Sequence, residues 1–260
     1  MAVQPGISTV HTRRDRKWHS SRNTDGQGDI MKKAIVQFFI PSTEYENPQY
    51  NRIGVNQELF EYSKVSVKQY ASKTGAEYLL METPKINWIH PTFERFDLFF
   101  NDDWWENFTH ILYLDTDIIV WPDAPDIFEM YPDTQSFKPV RDRIAERQTL
   151  QYHENRAFGT CLEKFNAETL RSNRFNAGVF MLTKPVVDKM KSYLDYKVLV
   201  GDDNEMLIQA MLESEVSVEK MDWKFNKKNG TGCYFGHASG QQKFKPNFKM
   251  LEKAKQVFIS

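Results

Sequence analysis

The chain has 260 residues, 40% hydrophobic and 27% charged, which suits one large domain or two small ones with a sizeable core. Its 34 basic and 35 acidic residues leave a formal charge of −1, so composition gives no support to nucleic-acid binding. Cys161 and Cys233 form neither a disulfide framework nor a metal-ligand spacing, no apolar stretch is long enough for a membrane span, and the N-terminus lacks the apolar core of a signal peptide. The expectation is a soluble, cytoplasmic protein with no transmembrane segment.

Residues 1–30 are polar, with Arg13, Arg14, Arg16 and Lys17 clustered, and read as a disordered or flexible N-terminal extension. The texture changes at Met31, a candidate natural start, and residues 31–260 read as one domain. Residues 33–40 form an apolar strand stopped by Pro41. Within 54–73, Leu59, Tyr62, Ser63, Val65, Val67 and Tyr70 fall at helical spacing, and Gly75 is a natural stop. Residues 76–81 read as a second strand. This alternation continues along the chain and predicts an α/β fold, a mostly parallel central sheet flanked by helices. After a loop holding Pro84 and Pro91, a helix is expected over 93–105. Arg95 lies on it, either as a solvated helix charge or as a bidentate phosphate contact.

The chain is organised around residues 110–122. The apolar run Ile111–Leu114 ends abruptly in Asp115 and Asp117, and a second apolar patch, Ile118–Val120, stops at Trp121-Pro122. Short apolar runs bounded by turn signals read as buried strands, and open α/β sheets bind ligands at strand ends. On an extended chain, residues two apart share a face. A divalent cation that takes oxygen ligands and also grips phosphate would satisfy both acids. The plainer reading is that the two acids cap a turn, and the tripeptide alone does not decide.

Asp123 to Phe128 reads as a short helix with an acidic start, and 141–172 as a charged, loop-rich lid or acceptor-side insertion. Residues 174–182 run from polar through the small Asn176-Ala177-Gly178 into an apolar strand, where missing side chains let a ligand approach closely. Helices are expected over 184–197 and 203–213. Acids at a helix start are favoured by the macrodipole, which by itself could account for Asp202 and Asp203. A last strand covers 216–221. The segment around His237, Gly240 and Lys243 reads as a loop, and a lone loop histidine is more often structural than a ligand.

Four stretches, Tyr-Leu-Asp-Thr-Asp (113–117), Phe-Asn-Ala-Gly-Val (175–179), Asp-Asn-Glu-Met-Leu (203–207) and His-x-x-Gly-x-x-Lys (237–243), resemble in order and rough spacing the GT-A fold glycosyltransferases, most closely glycosyltransferase family 8. That resemblance implies a GT-A domain and transfer of a sugar from a nucleotide sugar, UDP-linked by analogy, to a glycan or other hydroxyl acceptor. It also implies retention of configuration through same-face attack. Asp115, Asp117 and His237 would hold Mn²⁺ (or Mg²⁺), with Asp115 also near the donor ribose. Gly240 and Lys243 would close over the donor diphosphate, and Arg95 lies where the family often places a basic residue near the donor. Asn176, Ala177 and Gly178 would shape the sugar pocket, and Asp203 and Asn204 would hold the transferred sugar near its anomeric carbon. Asn204 stands where the family usually has Gln, and Lys243 is followed by Phe244-Lys245-Pro246 rather than Pro-Trp.

Two rivals carry different expectations. A haloacid-dehalogenase-type phosphatase would use Asp115, Asp117 and Gly201-Asp202-Asp203 around Mg²⁺, but its nucleophile strand normally opens the chain. A non-catalytic sugar-binding protein on the same fold would not need the acids, His237 and Lys243 intact. Oligomeric state is left open by the sequence.

Overall fold

The computed structural model describes residues 31–40, 57–86, 91–194, 202–228, 230, 232–238 and 248–258. Its centre is three strands, β1 (Lys33–Phe38), β3 (His110–Leu114) and β6 (Phe175–Leu182), buried along nearly their whole length. Side chains alternate between faces, and here both faces are apolar. Ile111, Tyr113, Phe180 and Leu182 join one cluster, while Leu112, Leu114, Val179 and Met181 join another. A sheet built this way must be covered on both sides. Helix α1 (Gln57–Thr74) covers the second face with Val67, Tyr70 and Ala71. The first is covered by α2 (Asp97–Phe100), α7 (Lys184–Met190) and α8 (Asp203–Glu213), which supply Phe99, Val187 and Leu207 among others. Each large apolar side chain fully buried in this way contributes about 1.5–3 kcal/mol. Gly75, at φ 66°, ends α1 as its sequence position implies.

The main sheet has the order β2 (Glu77–Met81), β1, β3, β6, β5 (Ser136–Arg141), β7 (Ser217–Val218). β1 is parallel to β2 and β3, and β5 to β7, but β6 runs antiparallel to both of its neighbours. The sheet is mixed yet mostly parallel, as expected, since β6 is the one strand of these six that runs against the rest. The reversal has a structural consequence, because the register Leu114↔Val179 sets the start of β6 beside the end of β3. A second, small sheet holds β4 (Ile118–Val120), β9 (Phe235–His237) and β8 (Lys227–Lys228), with β9 in the middle.

Several local expectations are corrected. The helix expected over 93–105 is broken into a 3-10 turn (Pro91–Phe96), α2 and α3 (Asp103–Asn107). The chain folds back there because the Asp97 carboxylate accepts from the Trp104 indole at 2.8 Å, and Leu98 C=O from the Trp105 indole at 2.9 Å. The short helix with an acidic start begins later than expected, as α4 (Ile127–Met130) capped by the Asp126 carboxylate. The region 141–172 contains α5 (Leu150–Ala157) and α6 (Ala167–Asn173), each started by a side-chain cap, Thr149 and Asn166. The last expected strand shortens to β7, with one further bridge from Met221 to Val140. His237 lies in a strand, not a loop. The sequence reading missed β5 and the closing helix α9 (Lys249–Phe258), whose Met250, Leu251 and Ala254 pack with Leu59, Ile119 and Trp121. Residues 1–30, 195–201, Gly240 and Lys243 lie outside the described residues.

Candidate metal and donor site

At Leu114 the chain stops being extended. Asp115, Thr116 and Asp117 form a turn closed by the Ile118 N–H donating to the Asp115 carbonyl at 3.1 Å. The two carboxylates thus converge through a turn, not through the alternation of an extended strand. Backbone bonds pin this turn from both sides. Asp115 N–H donates to Gly178 C=O at 2.8 Å, and Ala238 N–H donates to Asp117 C=O at 3.0 Å. The pairing Ile118↔His237 then delivers the imidazole to the acids. His237 Nε2 lies 3.2 Å from Asp117 Oδ1 and 3.7 Å from Asp115 Oδ2. One ligand atom from each residue falls within 4.8 Å of the others.

Each of these side chains is oriented by neighbours. Asp115 Oδ1 accepts from the Tyr113 hydroxyl at 2.6 Å and from Arg95 Nη2 at 3.0 Å, while Oδ2 is the oxygen nearer His237. His237 Nδ1–H donates to Asn226 Oδ1 at 2.8 Å, and the Asn226 amide donates to the backbone and side-chain oxygens of Asn176, both at 3.1 Å. Protonation at Nδ1 leaves the lone pair of the neutral ring on Nε2, facing the acids. Burial disfavours the charged imidazole, but Asp117 and Asp115 outweigh it and move the His237 pKa up. The cluster, in other words, favours positive charge. Gly178 completes it, since a Cβ there would lie 2.5 Å from His237 Cε1 and 2.8 Å from Asp115 Oδ2. Two carboxylates and an oriented imidazole in a cradle without room for a methyl group fit a divalent ion such as Mn²⁺.

Arg95 is only 3% exposed, so the solvated-charge reading is overturned. Its guanidinium donates to Thr92 C=O and Ala177 C=O, both at 2.8 Å, pairs with Asp115, and lies 3.2 Å from Asp203 Oδ2 and over the Tyr113 ring. Burial opposes its charge, yet Asp203, Tyr113 and Asp115 together push its pKa above the ordinary value. Asp202 serves the helix start, through capping hydrogen bonds. Its carboxylate accepts from Glu205 N–H at 2.8 Å, and Glu205 bonds back to the Asp202 N–H, a capping box that starts α8. Asp203 is thereby left to face Arg95, and Gly201-Asp202-Asp203 is not the acid pair a phosphatase would require. Asn204 Oδ1 accepts from Ala177 N–H at 2.7 Å.

The structure brings Asp115, Asp117, His237, Arg95, Asn176, Ala177, Gly178, Asp203 and Asn204 into one connected network. Sequence reading missed Asn226, the Tyr113 hydroxyl, and Gln37, whose amide donates to Asp115 C=O at 3.0 Å. Nothing local marks Asn226. It reaches His237 only because β8, the next element along the chain, pairs with β9.

Residues 32–191 match the family model described as Glycosyl transferase family 8. The chain belongs to glycosyl transferase family 8. That match stops short of α8 and β9, so the fold, not the family model, brings Asp203, Asn204 and His237 to this glycosyltransferase's site. No curated protein sequence matches the chain. Among solved structures, it is similar to a glycosyltransferase involved in glycosylation of the major capsid of PBCV-1, at 12% identity and TM-score 0.52, over 87% of this chain and 100% of that one. It is also similar to GlyE of Streptococcus pneumoniae TIGR4, at 15% identity and TM-score 0.50, over 89% of this chain and 61% of GlyE. The bifunctional glycosyltransferase WbbM matches at 11% identity and TM-score 0.52, over 91% and 53%. Identities this low show the shared GT-A fold alone. Among the described residues, no helix of this glycosyltransferase is long and apolar enough to cross a membrane.

Proposed function

We propose that this family 8 glycosyltransferase is metal-dependent, uses a UDP-linked sugar donor, and transfers the sugar to a hydroxyl of a glycan or other acceptor with retention of configuration. The observation that carries this reading is the convergence of Asp115 and Asp117, from one turn, with His237 from a distant strand, the imidazole oriented by Asn226. These three residues would hold Mn²⁺ or Mg²⁺. When bound, such an ion stabilises the negative charge of a departing nucleoside diphosphate as a Lewis acid.

The protein's own groups do the positioning. Asn176, Ala177 and Gly178 open the floor of the sugar pocket, and Gly178 keeps it clear for the donor. Asp203 and Asn204, at the first turn of α8, border that floor and would bind the transferred sugar's hydroxyls near its anomeric carbon. Arg95 is a positioning residue, since its donors turn to protein groups and it holds Asp115 and Asp203 in fixed relation. Gly240 and Lys243 would close over the diphosphate, with Lys243 as a point charge. In a same-face reaction the acceptor hydroxyl attacks as the diphosphate leaves, so orientation and leaving-group stabilisation carry the rate without a strong protein base.

The test is nucleotide release from a panel of nucleotide sugars with Mn²⁺ and then with EDTA, followed by NMR of the product's anomeric proton. EDTA-sensitive release of UDP from one or two donors and a product of the donor's configuration are expected. EDTA-insensitive turnover would remove the metal from the reading, and an inverted product would remove retention.

A further inference from the structure

Beside the site lies a cavity of about 300 Å³, within the range of small-molecule pockets, that shares only Asn176 with the residues of the donor reading. Its inner wall is Asn176 and Asn226, the residues that brace His237, and the rest is strongly basic, with Arg141, Arg143, Arg147, Lys227 and Lys228 against a single acid, Asp142. For a chain of net charge −1, that is a local concentration of one sign.

Much of this charge is not cancelled within the protein. Arg141 is taken by Glu146, its Nε lying 2.9 and 2.8 Å from the two carboxylate oxygens. Asp142 turns its Oδ1 to the N–H groups of Ile144 and Ala145, at 2.9 and 3.0 Å. Among the described residues, no carboxylate pairs with Arg143, Arg147 or Lys228. The Arg143 guanidinium and the Lys227 ammonium lie 5.1 and 5.5 Å from the centroid of the Trp223 ring, which holds both in place. An ordered guanidinium such as that of Arg143, with no carboxylate partner among the described residues, is suited to a phosphate or carboxylate.

That anion is not the donor's diphosphate. On the proposed reading the diphosphate would lie by the ion that Asp115, Asp117 and His237 would hold, and none of these three lines the cavity. A second ligand placed here would lie against the braces of the metal site, where the other substrate of a transfer reaction has to approach. We infer that the acceptor of this glycosyltransferase is a saccharide bearing a phosphate or carboxylate group, bound in this cavity by Arg143, Arg147 and Lys228. The inference rests on the transferase reading for its role in catalysis, but not for the binding itself.

Calorimetry of the full chain in EDTA, so that the metal site cannot hold phosphate, should compare glucose 6-phosphate and glucuronate with glucose and with inorganic phosphate. At least tenfold tighter binding of one charged sugar than of glucose or inorganic phosphate is expected, weakening as salt rises. The variant Arg143→Gln/Arg147→Gln should bring the charged sugar to within about threefold of glucose, with its fold checked by thermal melting. If it does not fold, Arg147→Gln alone and the salt series serve the same purpose. Equal or absent binding of charged and neutral sugars would overturn the inference. So would inorganic phosphate binding as tightly as the sugar phosphate, which would mark an adventitious anion only. In turnover with Mn²⁺, a charged acceptor should exceed its neutral counterpart at least tenfold in kcat/KM, mainly through KM, and a neutral acceptor performing equally would overturn the proposal with the transferase intact. Failure of every nucleotide sugar to turn over would instead defeat the transferase reading, while calorimetry still decides whether the cavity selects anions.

Discussion

Asn226 touches none of the ligand oxygens, yet it sets which nitrogen of His237 faces the acids. Its carbonyl oxygen takes the Nδ1 proton, and its amide is held in turn by Asn176. Replacing a brace of this kind typically costs about 10–100-fold in metal affinity. Asn226→Leu should therefore weaken Mn²⁺ binding by about that factor in a calorimetric titration, and unchanged affinity would show that the imidazole needs no brace. At this scale the sequence was informative about residue types and silent about partners. Asp115, Asp117 and His237 could be picked out by motif. Arg95 could be picked out as a residue but not understood, because a positive charge in an apolar-rich stretch does not reveal that two acids and a carbonyl from distant segments will enclose it.

Helix α8 shows how an element positions chemistry. Its capping box uses Asp202 and Glu205, which fixes the first turn and leaves Asp203 and Asn204 directed at Arg95 and Ala177. Asp202→Ala should cost about 1 kcal/mol of stability. In a protein of this size that is a fall of about 2–4 °C in melting temperature. A lower kcat is expected along with it, since the turn that carries Asp203 and Asn204 loses its anchor. A stability loss without any kinetic effect would mean that the cap serves the helix alone. The helix itself was legible from its acidic start and apolar spacing. The broken segment over 93–105 was not, because its interruption comes from the indole bonds of Trp104 and Trp105, which exist only once the chain has folded back.

Over the whole molecule, the site is a junction where the main sheet, the small sheet and α8 meet, and Arg95 ties β6, the Asp115 turn and α8 together. Arg95→Met would leave Asp115 and Asp203 without their cation, and breaking a largely buried pair of this kind costs about 3 kcal/mol or more. Chemical denaturation should show that loss, and a change below about 1 kcal/mol would mean water compensates the two acids. Metal binding should act on the same junction. Mn²⁺ at about 100 times its Kd stabilises the native state by about 2.7 kcal/mol. The corresponding rise in melting temperature is about 5–10 °C, reversed by EDTA. In Asp117→Ala, Mn²⁺ should leave the melting temperature unmoved and metal-dependent donor cleavage should be lost. A variant that still responds to Mn²⁺ would place the ion elsewhere.

By itself the sequence determined the alternation of strands and helices, the apolar runs that had to be buried on both faces, and the residues able to bind a cation. These follow from local pattern, since side-chain period and turn chemistry act over a few residues. The tertiary structure decided the direction of β6, which sets Asn176–Gly178 beside the end of β3, and the pairing of β4 with β9, which brings His237 to Asp117 from more than a hundred residues away in the chain. It also decided that Arg95 is enclosed and that the cations around Trp223 share a cavity. Such contacts depend on which strand edges and faces meet, and that is settled by packing the whole core at once.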